Sequence, residues 1–289
     1  MALSSLPPTH IASLPTPDGT CLFTQAWQPE TEAPRGVVLL VHGHAEHSGR
    51  YAHVAKHLVE HGIAMYAYDH RGFGRSEGHP GLVASFDQLV DDLAQMVQTV
   101  RADMPADQPL HLLAHSMGGA VAILYGLDHS PPVDGMILSS PAIDVSQNAS
   151  GLLRSIAPLV GRLCPTLPTL PRTADAISRD PAVVRDAETD PFNYHGRLLA
   201  GTGAELLHAS ERIQSAAHRF TLPFFIFHGT ADWITAPEAS RAFYRRAASP
   251  DKTILLYDGL YHETMNEPER EQVLHGVTNW LEARLDRPT

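Results

Sequence analysis

Six short, continuous apolar runs punctuate the chain: GVVLLVH (36–42), IAMYAYD (63–69), LHLLAH (110–115), GMILSS (135–140), FFIFHG (224–229) and TILLYDG (253–259). Runs of this length predict strands buried on both faces, as in a parallel sheet. Most of the intervening stretches carry a helical period. The clearest begins at Ser85, a capping hydroxyl with Gln88 three residues on to complete a capping box. It sets Phe86, Leu89, Val90, Leu93, Val97 and Val100 on one face. The last begins at Pro268 and aligns Val273, Val277, Trp280 and Leu281. Ahead of them all, residues 10–28 form two extended runs around Pro17-Asp18-Gly19, which predicts an antiparallel hairpin at a sheet edge.

Strand and helix in alternation imply an α/β fold: a mostly parallel sheet with right-handed crossovers and helices on both faces, binding its ligand at the carboxyl ends of the strands. One interval breaks the rhythm. From about Ala142 to Leu222 there is no clear strand, and so long an interval must carry structure of its own. The reading is a helical cap, 142–222, inserted in a core made of 1–141 and 223–289. Within it, Leu152, Leu153, Ile156, Leu159, Val160 and Leu163 recur at helical spacing with only Arg154 and Arg162 charged. That stripe must be covered by the core or by a ligand, and burying an acyl chain contributes roughly 0.8 kcal/mol per CH₂. Leu152, Ile156 and Leu159 are therefore candidate substrate contacts. The exposed side of the same helix is a candidate for transient contact with a membrane or lipid interface.

Composition narrows the function. A chain of 289 residues suits one large α/β domain, and 21 basic against 32 acidic residues give a net charge of −11. Such a balance disfavours nucleic acid as a partner and favours a neutral small molecule. Two cysteines, Cys21 and Cys164, are too few and too distant for a disulfide framework or a thiolate metal site. No apolar run reaches the roughly 18 residues that span a bilayer, and the first residues lack a signal-peptide pattern. The expectation is a cytoplasmic protein.

The chemistry sits at strand ends. Ala114-His115-Ser116-Met117-Gly118-Gly119 follows one predicted strand and opens a helix, the setting of a nucleophile elbow, where small residues two positions either side allow a strained serine. A serine hydroxyl needs a base, and the base an orienting carboxylate. Asp232 and His262 follow two later strands in the required order. Asp144 and Asp258 also follow strands and are rival acids. The run His42-Gly43-His44-Ala45-Glu46-His47 is open to two readings. Its histidines are spaced like the ligands of a binuclear zinc hydrolase. Alternatively its backbone forms an oxyanion loop, with the His44 N–H acting beside that of Met117. The zinc reading gives AHSMGG no role.

HGHAEHSGRY, YDHRGFGRSEG, AHSMGG, HGTADWI and GLYHETMNEPE together resemble the monoacylglycerol lipase and lysophospholipase group of α/β-hydrolases, particularly its bacterial members, over most of the chain. ISRDPAVVRDAETDP in the cap joins them. The resemblance implies Ser116 as nucleophile, His262 as base, Asp232 as its orienting acid, and the His44 and Met117 N–H groups as oxyanion donors. It places Glu46 and Arg50 near the glycerol end of the substrate, gives Asp69 and Arg71 a structural role, and requires no metal or organic cofactor. Two positions depart from the animal enzymes: Ala187 stands where a cap tyrosine meets the head group, and Met265 where a second histidine occurs, with Phe192 and Tyr194 as candidate aromatic substitutes. The expected activity is hydrolysis of monoacylglycerol through an acyl-enzyme. The alternatives are a general carboxylesterase, acyl transfer, a silent binding protein on the same scaffold, and the zinc-dependent hydrolase.

Overall fold

Residues 6–30, 33–145, 151–171 and 174–285 are described by the computed structural model. They build one eight-stranded sheet in the order β1-β2-β4-β3-β5-β6-β7-β8. The strands are β1 (His10–Pro15), β2 (Cys21–Trp27), β3 (Gly36–Val41), β4 (Ile63–Tyr68), β5 (Leu110–His115), β6 (Gly135–Ser139), β7 (Phe224–Gly229) and β8 (Lys252–Tyr257). β1 and β2 are the predicted antiparallel hairpin, and β2 also runs antiparallel to β4; the remaining pairs are parallel. At its turn, Thr16 N–H donates to Thr20 O, Asp18 Oδ1 accepts from Thr16 Oγ1, and Gly19 adopts φ 89°.

Side chains of β3 divide between two cores with the strand's two-residue period. Val37, Leu39 and Val41 pack with α2 (Phe86–Ala102) and α3 (Met117–Asp128) on one face. Val38 and Leu40 pack with α1 (Ala52–Glu60) and α8 (Arg270–Leu285) on the other. One strand departs from expectation. β8 alternates half-buried and exposed positions, because it is the sheet's edge. A second difference lies at the start of α2, where Ser85 Oγ accepts from Asp87 N–H (3.1 Å). The Phe86 N–H is taken by Glu205 Oε2 (2.8 Å), a group from another helix, so a tertiary contact satisfies one of the free donors of the first turn.

Between β6 and β7 lie α4 (Gly151–Leu163), α5 (Pro181–Thr189) and α6 (Ala200–Ala216); α7 (Pro237–Arg246) follows β7. Asp180 caps α5 through the Ala182 N–H (2.9 Å), with Pro181 at the first helical position. α6 is fastened to the core. Thr202 Oγ1 donates to Gly81 O and accepts from Val83 N–H, while Arg212 pairs with Asp87 and Asp128. α4 rides on α6: a Cβ at Gly161 would stand 2.6 Å from that of Ala204, so this position needs glycine for the two helices to meet. Among the described residues, no helix is long and apolar enough to cross a membrane.

Candidate active site

Ser116 stands between the end of β5 and the start of α3 with φ 52° and ψ −117°, a conformation that strains any residue other than glycine. Its N–H is held by Ser139 O at 3.0 Å. The small residues nearby are a packing requirement. A Cβ at Gly118 would collide with the carbonyl oxygens of Val41 and His42, and one at Gly119 would lie 2.7 Å from Pro141 Cβ. A Cβ at Gly43 would lie 3.1 Å from Ser116 Cβ, so glycine there lets the loop after β3 pass directly over the serine.

The loops after β7 and β8 complete a hydrogen-bonded line. Ser116 Oγ lies 2.9 Å from His262 Nε2, and His262 Nδ1 lies 2.7 Å from Asp232 Oδ2. With Nδ1–H donating to the carboxylate, Nε2 accepts from the hydroxyl, which is the tautomer a general base requires. Asp232 Oδ1 accepts from the N–H groups of Ile234 (2.8 Å) and Thr235 (3.0 Å). Oδ2 also lies 2.9 Å from His228 Nε2, whose own Nδ1 meets Ser240 Oγ at 2.8 Å. Burial alone would raise the Asp232 carboxyl; the charge of His262 and the hydrogen bonds from His228 and His262 outweigh it and hold the group far below the usual carboxylate range. Burial would lower His262, and Asp232, Glu263 and Glu46 together raise it. The carboxylate on His262 is thus that of Asp232, whereas Asp258 pairs with Thr230 Oγ1. Asp144, the other rival, is not the carboxylate bonded to His262.

Gly43, His44, Ser116 and Met117 share one cavity wall. Met117 is the first residue of α3, and the first N–H groups of a helix have no intrahelical acceptor. The two N–H groups expected to hold an oxyanion, those of Met117 and His44, thus belong to residues that border the same cavity as Ser116. The histidine rings of the loop do not converge on a metal position. His42 Nε2 accepts from the His70 N–H (2.8 Å) and its Nδ1 donates to Gly43 O (2.8 Å). His47 Nδ1 accepts from Gly49 N–H and its Nε2 reaches Asp190 Oδ2 (2.9 Å), while the His44 ring packs edge-on against Phe73. This corrects the zinc reading: both ring nitrogens of two of its three histidines are already occupied by protein partners. Among the described residues, no cluster of His, Cys, Asp and Glu is arranged to hold a metal ion. Asp69 holds Ser48 and the Arg75 N–H, and Arg71 forks onto Asp92, so the 69–76 loop braces its neighbour.

Glu46 and Arg50 border the cavity, but their charged groups are directed at each other and at protein partners. Arg50 Nη1 donates to Glu46 Oε2 (2.9 Å) and Glu263 Oε1 (2.7 Å), and its Nη2 to Glu263 Oε2 (2.7 Å). Glu46 Oε1 accepts from the Gly43 N–H and from Tyr51 Oη. These contacts brace the loop that passes over the serine. Arg50 keeps Glu263 ionised despite its burial, with its carboxyl lowered to about 2.

The cavity has a volume of about 570 Å³ and extends from Ser116 and His262 beneath the inserted helices. Ile156, Ala157 and Val160 of α4 line it with Leu206 and Leu207 of α6. Leu159 does not: it is 61% exposed on the outer surface, because its helical angle differs from that of Val160. The side chains of Leu152 and Leu153 lie outside the described residues. Ala187 is fully buried in a small core with Ile177 and Val183, and Met265 is buried with its carbonyl bonded to His53. Neither Phe192 nor Tyr194 lines the cavity. Tyr194 packs against the His44 ring and Phe192 against that of His47.

Sequence reasoning missed His228, Thr235, Glu263 and His115. His115 has its ring centroid 4.8 Å from that of His262, and burial followed by the charge of His262 lowers it to about 4. His115 and Glu263 adjoin singled-out residues in the sequence, whereas His228 and Thr235 lie four and three positions from Asp232 and reach it only in the fold.

A family model described as serine aminopeptidase, S33, matches residues 32–269. A monoacylglycerol lipase of Mycolicibacterium smegmatis is 39% identical over 267 residues, which cover 92% of this chain and 95% of the relative. A monoglyceride lipase of Rattus norvegicus is 34% identical, over 97% of this chain and 93% of its own. Among solved structures, the monoacylglycerol lipase of Paleococcus ferrophilus superposes with a TM-score of 0.81 at 29% identity, over 90% of this chain and 98% of that one.

Proposed function

The chain belongs to the monoacylglycerol lipase group of the α/β-hydrolase superfamily and is a serine hydrolase, and on that premise we propose that it cleaves monoacylglycerol through an acyl-enzyme formed on Ser116. The observation that carries this reading is the continuous bonded line from Ser116 through His262 to Asp232 beside the loop bearing the His44 N–H. His262 takes the hydroxyl proton as the oxygen attacks the ester carbonyl, and the carbonyl oxygen moves between the N–H groups of His44 and Met117. The same imidazole then protonates the departing glycerol oxygen and later activates water for the second half. Residues 142–222 act as a cap over a core made of 1–141 and 223–289, and the acyl chain lies between Ile156, Val160, Leu206 and Leu207. The free thiols of Cys21 and Cys164 favour the cytoplasm as the working compartment.

The cavity's polar end carries two carboxylates, Glu46 and Glu263, against one guanidinium, Arg50. An anionic head group is repelled there. With matched acyl chains, kcat/KM is expected to be at least tenfold higher for monoacylglycerol than for lysophosphatidate, a difference of about 1.4 kcal/mol that like-charge juxtaposition readily supplies. Equal rates would reject the head-group assignment. A general carboxylesterase is the second reading, favoured by the seclusion of Ala187 and Met265 from the head-group region; faster turnover of short p-nitrophenyl esters than of any monoacylglycerol would establish it.

Leu159 (61% exposed), Leu163 (69%), Leu167 (48%) and Leu170 (47%) lie on the outer surface of the inserted segment, and the last two also line the cavity. We read these residues as the part that touches a lipid interface. Changing Leu159 and Leu163 to Asp should lower turnover of vesicle-borne monoacylglycerol several-fold and leave a soluble short ester unaffected. An equal loss on both substrates would contradict interfacial contact.

A further inference from the structure

Glu263 follows the candidate base directly in sequence, and it is nearly buried. Its carboxylate accepts two hydrogen bonds from the Arg50 fork, both 2.7 Å, and a third from Asn266 Nδ2 at 2.8 Å. Its N–H donates to Ile177 O (2.8 Å) in the inserted segment. The other end of the Arg50 bridge is Glu46, which holds the Gly43 N–H in the loop over Ser116. One guanidinium thus joins the loop after β8, which carries His262, to the loop after β3, which carries the His44 N–H. β3 and β8 are not neighbours in the sheet, so backbone pairing does not fix this separation.

We propose that Glu263 is a positioning residue: through its forked bridge to Arg50 it sets the distance between the base and the oxyanion loop. The proposal rests on the function proposed above. Arginine suits the task because its planar fork engages a carboxylate at two points and fixes orientation, which a lysine ammonium cannot do. A second consequence is electrostatic. The groups facing His262 are Asp232 from the loop after β7, Glu46 and Arg50 from the loop after β3, His115 from the end of β5, and Glu263 itself. Of these, Glu263 adds negative charge that favours the imidazolium.

Two full-length variants test it. Glu263→Gln keeps the size of the side chain but removes its charge and makes one oxygen a donor facing Arg50 or Asn266. Its kcat on monoacylglycerol is expected to fall roughly tenfold to hundredfold with KM within about threefold, the signature of misplaced rather than missing groups. Its acid limb should move to lower pH. His262 acts as base only when neutral, so activity is lost as pH falls through its raised pKa, and removing a neighbouring negative charge lowers that pKa. Arg50→Lys keeps the charge that neutralises two buried carboxylates but removes the fork. It should lose kcat similarly while the acid limb stays in place. Should Glu263→Gln fail to fold, Arg50→Lys decides alone: wild-type kcat in this variant overturns the proposal, as does a folded Glu263→Gln with both kcat and acid limb unchanged. A wild-type protein unlabelled at Ser116 by a fluorophosphonate would instead refute the underlying function. A labelled, active wild type with indifferent variants refutes only the positioning role.

Discussion

Replacing Ser116 with alanine is expected to lower kcat on monoacylglycerol by roughly 10⁴- to 10⁶-fold, the range seen when a nucleophile is deleted from a serine triad. The residual rate would come from substrate orientation and the proposed oxyanion donors of His44 and Met117, which survive the change. The backbone path should persist, because the turn is set by the Ser116 N–H bond to Ser139 O and by the seating of Gly118 under the end of β3. Deleting one partly buried hydroxyl leaves His262 Nε2 without its 2.9 Å contact but retains its bond to Asp232. Steady-state kinetics together with near-ultraviolet circular dichroism distinguish lost chemistry from lost structure. A folded variant within a hundredfold of wild type would mean that the hydroxyl does not form the acyl bond.

Asp232→Asn should cost roughly 10³- to 10⁴-fold in kcat near neutral pH, although the side chain keeps its size. The reason lies in what surrounds each carboxylate oxygen. Oδ1 accepts from two backbone N–H groups, those of Ile234 and Thr235, and cannot be replaced by NH₂ without opposing two donors. The amide nitrogen must therefore take the Oδ2 side, 2.7 Å from His262 Nδ1 and 2.9 Å from His228 Nε2. There it forces Nδ1 to accept, which moves the His262 proton to Nε2 and leaves no lone pair to receive the serine proton. A variant within tenfold of wild-type kcat would show that the carboxylate is not what fixes the tautomer.

The sheet was legible in the sequence because its inner strands are buried on both faces: β3, β5, β6 and β7 read as unbroken apolar runs, and the two-residue period that divides Val37, Leu39 and Val41 from Val38 and Leu40 needs no external partner. β8 was legible as a strand but not as an edge, since solvent exposure depends on what fails to pack beside it. Ser116, Asp232 and His262 stood out because each follows a strand, and the parallel sheet places all those ends along one rim. Chain order alone could not separate Asp232 from Asp144; the orientation of one carboxylate, held by Ile234 and Thr235, does so. Glu46 and Arg50 were placed by the resemblance near the glycerol end of the substrate, but the sequence held no sign that Arg50 bridges Glu46 to Glu263, more than two hundred residues away in the chain. In α4 the apolar spacing was plain. Its stripe is wider than the cavity, so Val160 lies inside and Leu159 outside with nothing in the pattern to divide them.

The most direct measurement is where a covalent trap lands. Wild-type protein treated with a fluorophosphonate, digested and sequenced by tandem mass spectrometry should carry one adduct, on the peptide containing Ala114-His115-Ser116-Met117, with the mass on Ser116 and turnover lost in proportion to labelling. An adduct on a different residue, or full inactivation with Ser116 unmodified, would contradict the account.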